Sequence, residues 1–270
     1  MPQAQLRVLA SPEEIGEDLA GRLLERIERA RLAARRFLLG CPTGRSPKPV
    51  FAAMARRLAA EPQDLSHLVF VMMDEYLVPG PGGLQYAPST APWSCHHFAQ
   101  AEIATQLNAT LPDVQRVDAE SFWFPDPRDP AAYDVRIDAA GGIDFFILAS
   151  GASDGHVAFN PPGSARDSRT RIIELSDETR RDNLKTFPVF GTLDAVPRHG
   201  VSVGIDTIVR SREVVMIAWG EGKRLTVARM RRARGYEADW PATLVHESAG
   251  GEILCDSAAA AESDRPTARA

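Results

Sequence analysis

Three short apolar runs, Phe37-Leu38-Leu39-Gly40, Leu68-Val69-Phe70-Val71-Met72-Met73 and Ile143-Asp144-Phe145-Phe146-Ile147-Leu148, each give way at once to polar residues. Runs without strict alternation read as strands buried on both sides, and such strands need a covering layer above and below. The intervening segments supply it. Ser11-Pro12-Glu13-Glu14 opens a helix, with Ser11 suited to the cap, Pro12 to the first helical position and Glu14 to a capping box. Ile15, Leu19, Leu23, Ile27 and Leu32 then recur at helical intervals. Further helices are expected from Pro47 to about Ala60, Ser94 to Leu107, Asp177 to Lys185 and Lys223 to Arg231. Further strands are expected at Gln5 to Leu9, Arg171 to Leu175 and Val214 to Trp219. Strands alternating with helices predict an α/β fold, a single domain with a mostly parallel sheet and helices on both faces. The chain of 270 residues is long enough for a core that needs neither disulfide nor metal. The domain is expected to run to about residue 257, with Ala258 to Ala270 as a flexible tail. A Gly/Pro-rich stretch from about Pro79 to Pro92 is long enough for a lid.

Charge narrows the partner. With Lys+Arg 31 against Asp+Glu 36 and a net charge of -5, nucleic acid and an anionic membrane surface are poor expectations. A local basic pocket for a small anion remains compatible with that balance, so a small molecule is the expected ligand. No window approaches the roughly 18 apolar residues of a membrane span, and the first residues lack a secretory pattern. Cys41, Cys95 and Cys255 are an odd number at wide spacing, which fits a reducing compartment and neither a disulfide frame nor a zinc site. A cytoplasmic protein is expected, and a homo-oligomer is compatible with the sequence.

In open α/β sheets the ligand settles beyond the carboxyl ends of the strands, so the polar residues after each run are where chemistry belongs. The first run is followed by Cys41-Pro42-Thr43-Gly44-Arg45-Ser46-Pro47, a flexible glycine and two hydroxyls ahead of a helix start that attracts anions. The segment lacks Walker spacing. It reads either as a phosphate cradle or as an ordinary turn in which Ser46 caps the helix. The second run delivers Asp74 and Glu75. Adjacent residues leaving a strand face opposite ways, so one carboxylate enters the crevice while the other meets scaffold or solvent. In a half-dry cleft such an acid can take a carbon-bound proton, and the alternative is an acidic pair in a wet turn. The third run leads into Ser150-Gly151-Ala152-Ser153-Asp154-Gly155-His156, where an Asp two positions before a His can set the imidazole tautomer.

Other candidates are weaker. His96 and His97 are adjacent and beside Cys95, a poor chelate geometry, so a packing role is expected and no metal or cofactor is assigned. No G-x-S-x-G elbow supports a nucleophilic serine. Lys48, Lys185 and Lys223 are the three lysines among many arginines, and Lys223 either reaches a phosphate or is a solvated surface residue.

Taken in order, these segments resemble the glucosamine-6-phosphate deaminase family, which shares an α/β superfamily with the 6-phosphogluconolactonases. The resemblance runs from about Phe37 to Asp256. Leu39-Gly40-Cys41-Pro42-Thr43-Gly44-Arg45-Ser46-Pro47 is similar to the family's phosphate loop, and Met73-Asp74-Glu75-Tyr76 to its M-D-E-Y segment. Asp154-Gly155-His156-Val157-Ala158-Phe159-Asn160 resembles its D-G-H-I-A-F-N motif. Ser168-Arg169-Thr170-Arg171 and Ser202-Val203-Gly204-Ile205-Asp206-Thr207 resemble its S-R-T-R and T-V-G-x-x-T stretches.

The resemblance implies a Rossmann-like domain that isomerises an amino-sugar 6-phosphate and releases ammonia. His156 would open the pyranose ring, Asp154 would orient it, and Asp74 would move a proton between C2 and C1. Phosphate contacts are implied for Thr43, Gly44, Arg45, Ser46, Lys223 and Lys185, the last standing where the deaminases have an Arg. Substrate contacts are implied for Gly151 and Arg169. Where the deaminases read F-N-E-P this chain has Phe159-Asn160-Pro161-Pro162, so Pro161 replaces the acid that completes a His-Asp-Glu group. Ser150 and Ala152 stand where G-x-G is usual, and Arg45 replaces a small residue.

Two other activities fit parts of the pattern. In a lactonase of phosphorylated sugars His156 would activate water without a carboxylate base, and Asp74-Glu75-Tyr76-Leu77-Val78-Pro79 is similar to a D-E-R-x-V-P turn of that branch. Tyr76 and Ser168-Arg169-Thr170-Arg171 favour the deaminase branch. The third is a non-catalytic sugar-phosphate sensor, against which stands a first strand already expected at Gln5, with no helix-turn-helix ahead of it.

Overall fold

A computed structural model describes residues 3–261. The chain opens with β1 (Gln5–Leu9), α1 (Pro12–Leu32), β2 (Phe37–Cys41), α2 (Lys48–Ala60) and β3 (Leu68–Met72). Ser11 Oγ accepts the Glu14 N–H and the Glu14 carboxylate reaches back to the Ala10 N–H, so α1 starts where its capping residues put it. Ile15, Leu19, Leu23 and Ile27 are buried and Leu32 is exposed, the buried stripe of α1 ending at Ala30. Each fully buried aliphatic side chain contributes roughly 1.5–3 kcal/mol.

After β3 the pattern changes. β4 (Asp74–Gly80) and β5 (Gly83–Tyr86) form an antiparallel hairpin in which Val78 pairs with Gln85 and Pro79 with Leu84. The stretch expected as a lid is thus partly strand; Pro81 and Gly82 make the hairpin turn, and Gly83 already pairs with Gly80. α3 (Cys95–Phe98), a π turn at Ala99–Ala104 and α4 (Thr105–Asn108) make one helical run, close to the expected helix. The remaining elements are β6 (Phe122–Trp123), α5 (Ala131–Ala139), β7 (Phe145–Leu148), β8 (Arg171–Glu174), α6 (Asp177–Thr186), β9 (His199–Ser202) and α7 (Ile205–Val209). Then follow β10 (Val214–Ala218), α8 (Arg224–Arg232), β11 (Gly251–Asp256) and α9 (Ser257–Ala260).

Seven strands form a parallel sheet in the order β1-β11-β10-β7-β2-β3-β6. Its central strands are covered on both faces, as their unbroken apolar runs require. Leu39, Phe70 and Ile147 pack with α1 and α2, while Leu38, Val69 and Phe146 pack with α5, α7 and α8. The pleat sends alternate side chains to opposite layers. A second, antiparallel sheet, β5-β4-β9-β8, stands beside the first over a small core of Tyr76, Phe159, Ile173 and Leu175. It was not expected, because its strands come from four segments of unlike composition whose pairing is visible only once folded.

The chain runs from β2 to one side of the parallel sheet and from β7 to the other, so β2 and β7 flank a topological switch point. The loops after β2, β3, β7 and β10 therefore meet around one crevice. At the other end of the sequence, Ala258 to Ala260 belong to α9, with Ala259 buried and its N–H held by Asp256. The flexible-tail expectation fails for those residues; from residue 262 on it lies outside the described residues.

Candidate active site

The crevice holds a cavity of about 530 Å³. Thr43, Gly44, Arg45 and Ser46 line it after β2, Asp74 after β3, Gly151 and His156 after β7, Lys185 on α6 and Lys223 after β10. Strand ends far apart in sequence thus deliver an anion loop, an acid and an imidazole to one space.

The anion loop stays open at its helix end. α2 is preceded by Pro47 with no side-chain cap, so Ser46 does not serve as the cap. Its carbonyl is instead anchored by the Trp219 indole N–H at 3.1 Å, which ties the loop to the end of β10. Gly44 sits at φ 84, a left-handed conformation that glycine adopts without cost. Facing the loop, Lys223 is half-buried and its Nζ donates to the Ser150 carbonyl. Burial lowers its pKa to about 8 and Arg45 pushes the same way, while Asp182 and Asp154 oppose them. Lys185, on the rim, is largely exposed and lies 3.4 Å from Asp182.

Asp74 is the first residue of β4, paired with Ser202 of β9. Only 5% exposed, its carboxyl is pushed up to about 7, first by burial and also by the charge of Glu75, with the Cys95 thiol acting the other way. A carboxyl near neutrality holds its proton loosely enough to give and take it at physiological pH. Glu75 faces the opposite side, where it accepts the backbone N–H groups of Tyr76, Cys95 and His96 and the Ser94 hydroxyl at 2.8 to 3.0 Å. The alternation expected of the pair is observed, with scaffold and not solvent behind.

His156 is held by its loop. Its Nδ1 lies 2.7 Å from Asp154 Oδ1, which also accepts the His156 backbone N–H at 3.1 Å. Thr179 Oγ1 on α6 sits 3.3 Å from Asp154 Oδ2 and 3.2 Å from His156 Nδ1. Burial alone would raise the Asp154 pKa, but hydrogen bonds from His156 and Thr179 together with the His156 charge hold it below the ordinary value. An ionised Asp154 fixes the Nδ1–H tautomer and leaves Nε2 for the cleft. A Cβ on Gly151 would lie 2.2 Å from His156 Nδ1, so that position must be glycine for the pair to form. Ala158, one turn on, has φ 52, a conformation that costs a non-glycine residue about 1 kcal/mol or more.

Arg169 is elsewhere. Its guanidinium sits among Asp134, Asp138 and Asp206 and lines a separate cavity of about 380 Å³. The reason is local: Ser168 Oγ and its carbonyl accept the N–H groups of Ile205 and Asp206, which clamps this segment to the start of α7 and turns Arg169 toward α5. The substrate contact expected of Arg169 is not made from that position. His96 has the packing role expected of it, stacked on Phe124.

Asp182 was missed. It lines the cavity from α6, where it accepts the Ser153 hydroxyl at 2.8 Å. Thr179, Asp182, Asn183 and Thr186 follow the i, i+3, i+4, i+7 spacing of one helix face, a signal present in the sequence that goes unread without knowing what α6 faces. Asp154, His156 and Asp182 offer one ligand atom each within 4.8 Å of one another, the one such group able to hold a metal among the described residues. Pro161 does not line the cavity, whereas Asp182 does.

The sequence matches the model of the family described as glucosamine-6-phosphate isomerases/6-phosphogluconolactonase over residues 10–255. A glucosamine-6-phosphate deaminase of Beutenbergia cavernae is 35% identical over 90% of this chain and 85% of its own length. A second, of Rhodococcus opacus, is 32% identical over 96% and 92%. In fold, the chain is similar to a solved monomeric glucosamine-6-phosphate deaminase, with a TM-score of 0.79 and 24% identity over 95% of this chain and 98% of that one. The 6-phosphogluconolactonase of Trypanosoma cruzi follows the same fold at a TM-score of 0.66 and 17% identity, over 96% of both chains. Among the described residues no helix is long and apolar enough to cross a membrane. By sequence, the chain belongs to the glucosamine-6-phosphate isomerase/6-phosphogluconolactonase family.

Proposed function

We propose that this protein converts an amino-sugar 6-phosphate and water into a ketose 6-phosphate and ammonia. The observation that carries this reading is the single cavity shared by the Thr43–Ser46 loop, Asp74 and His156. Thr43, Gly44, Arg45 and Ser46 with Lys223 hold the phosphate, which fixes the far end of the sugar and leaves its reducing end toward the acid and the imidazole. His156 transfers a proton at the ring oxygen and anomeric hydroxyl to open the pyranose, while Asp154 stabilises the imidazolium. Asp74 takes the C2 proton and returns it to C1. The aminoenol formed on the first transfer becomes an imine at C2, and addition of water there expels ammonia.

The basicity of Asp74 supports this over lactone hydrolysis, because water attack on a lactone needs His156 but no carbon acid base. The test is to incubate the protein with glucosamine 6-phosphate and measure ammonia and ketose phosphate. Turnover that falls by about 10²-fold or more in Asp74→Asn and in His156→Ala is expected. Hydrolysis of a 6-phosphogluconolactone that survives Asp74→Asn, without ammonia from the amino sugar, would replace the reading by the lactonase. Binding without turnover of either would leave the sensor.

A further inference from the structure

Cys95 bonds two consecutive carboxylates, one through its backbone and the other through its thiol. Its backbone N–H donates to Glu75 Oε1 at 3.0 Å, and its Sγ lies 3.3 Å from Asp74 Oδ1. Because Asp74 and Glu75 project from opposite faces of β4, Glu75 fixes where α3 begins and Asp74 receives the side chain of its first residue. The same sulfur is 3.5 Å from Thr43 Oγ1. One buried atom thus touches both the acid and the anion loop. Among the described residues it is the one hydrogen-bond partner of the Asp74 carboxyl.

We propose that Cys95 is a positioning residue for the cleft acid: its thiol occupies one oxygen of Asp74, leaves the other to meet substrate, and links the acid to the phosphate-holding loop through Thr43. The thiol remains a thiol, since burial first and the charges of Glu75 and Asp74 next push its pKa well above the ordinary value. It acts as a donor and not as a nucleophile. A thiol is a weak donor. It steadies the carboxyl without drawing it down to the range of a hydroxyl-bonded carboxylate. Cys41 at the end of β2 and Glu75 and Tyr76 in β4 are the other titratable groups coupled to Asp74. None of them donates a hydrogen bond to it among the described residues.

The inference rests on the proposed role of Asp74, so the test includes a measurement on the ligand-free protein. The ¹³C carboxyl signal of Asp74, identified by its loss in Asp74→Asn, is titrated in the natural chain, in Cys95→Ala and in Cys95→Ser. Removing the donor should move the midpoint up by about one pH unit, and the stronger hydroxyl donor should leave it at or below its starting position. The acid limb of kcat with glucosamine 6-phosphate should move in the same order, with KM changed less than about twofold because the phosphate contacts of Gly44, Arg45, Ser46 and Lys223 remain. Should Cys95→Ala fail to fold, Cys95→Val, which keeps the volume, takes its place.

Coincident titrations for the natural chain and the alanine or valine variant would overturn the proposal, as would a serine variant that moves with alanine. A shifted titration in a chain that releases no ammonia would leave the positioning role standing and remove the deaminase reading.

Discussion

His96 Nδ1 lies 2.6 Å from Glu75 Oε2, directly behind the strand whose front presents Asp74 to the cleft. Two adjacent acids of one dipeptide therefore do separate jobs, one as the anchor of α3 and the other as the acid of the site. Glu75→Ala would strand several buried donors at once. A loss of about 3–5 kcal/mol in unfolding free energy is expected by urea titration. A loss below about 1 kcal/mol would show that the anchor does not matter.

Asp74→Asn should have the opposite effect on stability. The folded chain keeps the carboxyl protonated up to about 7, whereas the unfolded chain ionises near the ordinary value of 3.8. Between those values the folded state holds the extra proton, so stability falls as pH rises through the window and stays reduced above it. The asparagine variant escapes this loss. At pH 8 it should be more stable than the natural chain by a few kcal/mol, about 4 at most, while the two should agree more closely near pH 4. Parallel stability curves across pH 4 to 8 would contradict the raised carboxyl.

Burial lowers the Lys223 pKa to about 8, so its charge is progressively lost as pH rises through that value. At pH 9, where inorganic phosphate is already the dianion, its binding should be accompanied by uptake of a proton at Lys223, as calorimetry in buffers of different ionisation heat would show. Lys223→Met should weaken binding by about 10- to 100-fold at pH 7. Asp182→Asn, which removes a charge that favours the ammonium, should shift the fall in affinity to lower pH. Phosphate affinity indifferent to both substitutions would place the anion elsewhere.

Gly151→Ala places a methyl group where the imidazole now sits, since the added Cβ would be 2.2 Å from His156 Nδ1 and 2.5 Å from Asp154 Oδ1. The ring must leave Asp154 or the loop must move. Turnover should drop by about 10²-fold or more while inorganic phosphate still binds, because the anion loop belongs to a different strand end. Full activity in this variant would mean that the pair is not required as it stands.

Much of this molecule is legible from its residues one segment at a time. The apolar runs of β2, β3 and β7 specify parallel strands because only a doubly covered sheet buries them on both sides. The polar residues that follow them can only lie at the strand ends, and the two-residue period alone separates Asp74 from Glu75. Which of those ends adjoin was decided by the tertiary structure. Strand order put β2 beside β7 and so brought the Thr43–Ser46 loop to His156. The second sheet, Asp182 on α6 and Cys95 on α3 entered the site through packing between segments that share no local pattern. Arg169, by contrast, was drawn away by three acids on α5 and α7. Local preference sets the face a side chain occupies, but its neighbours across space depend on how the layers close, and that information is distributed over the whole chain.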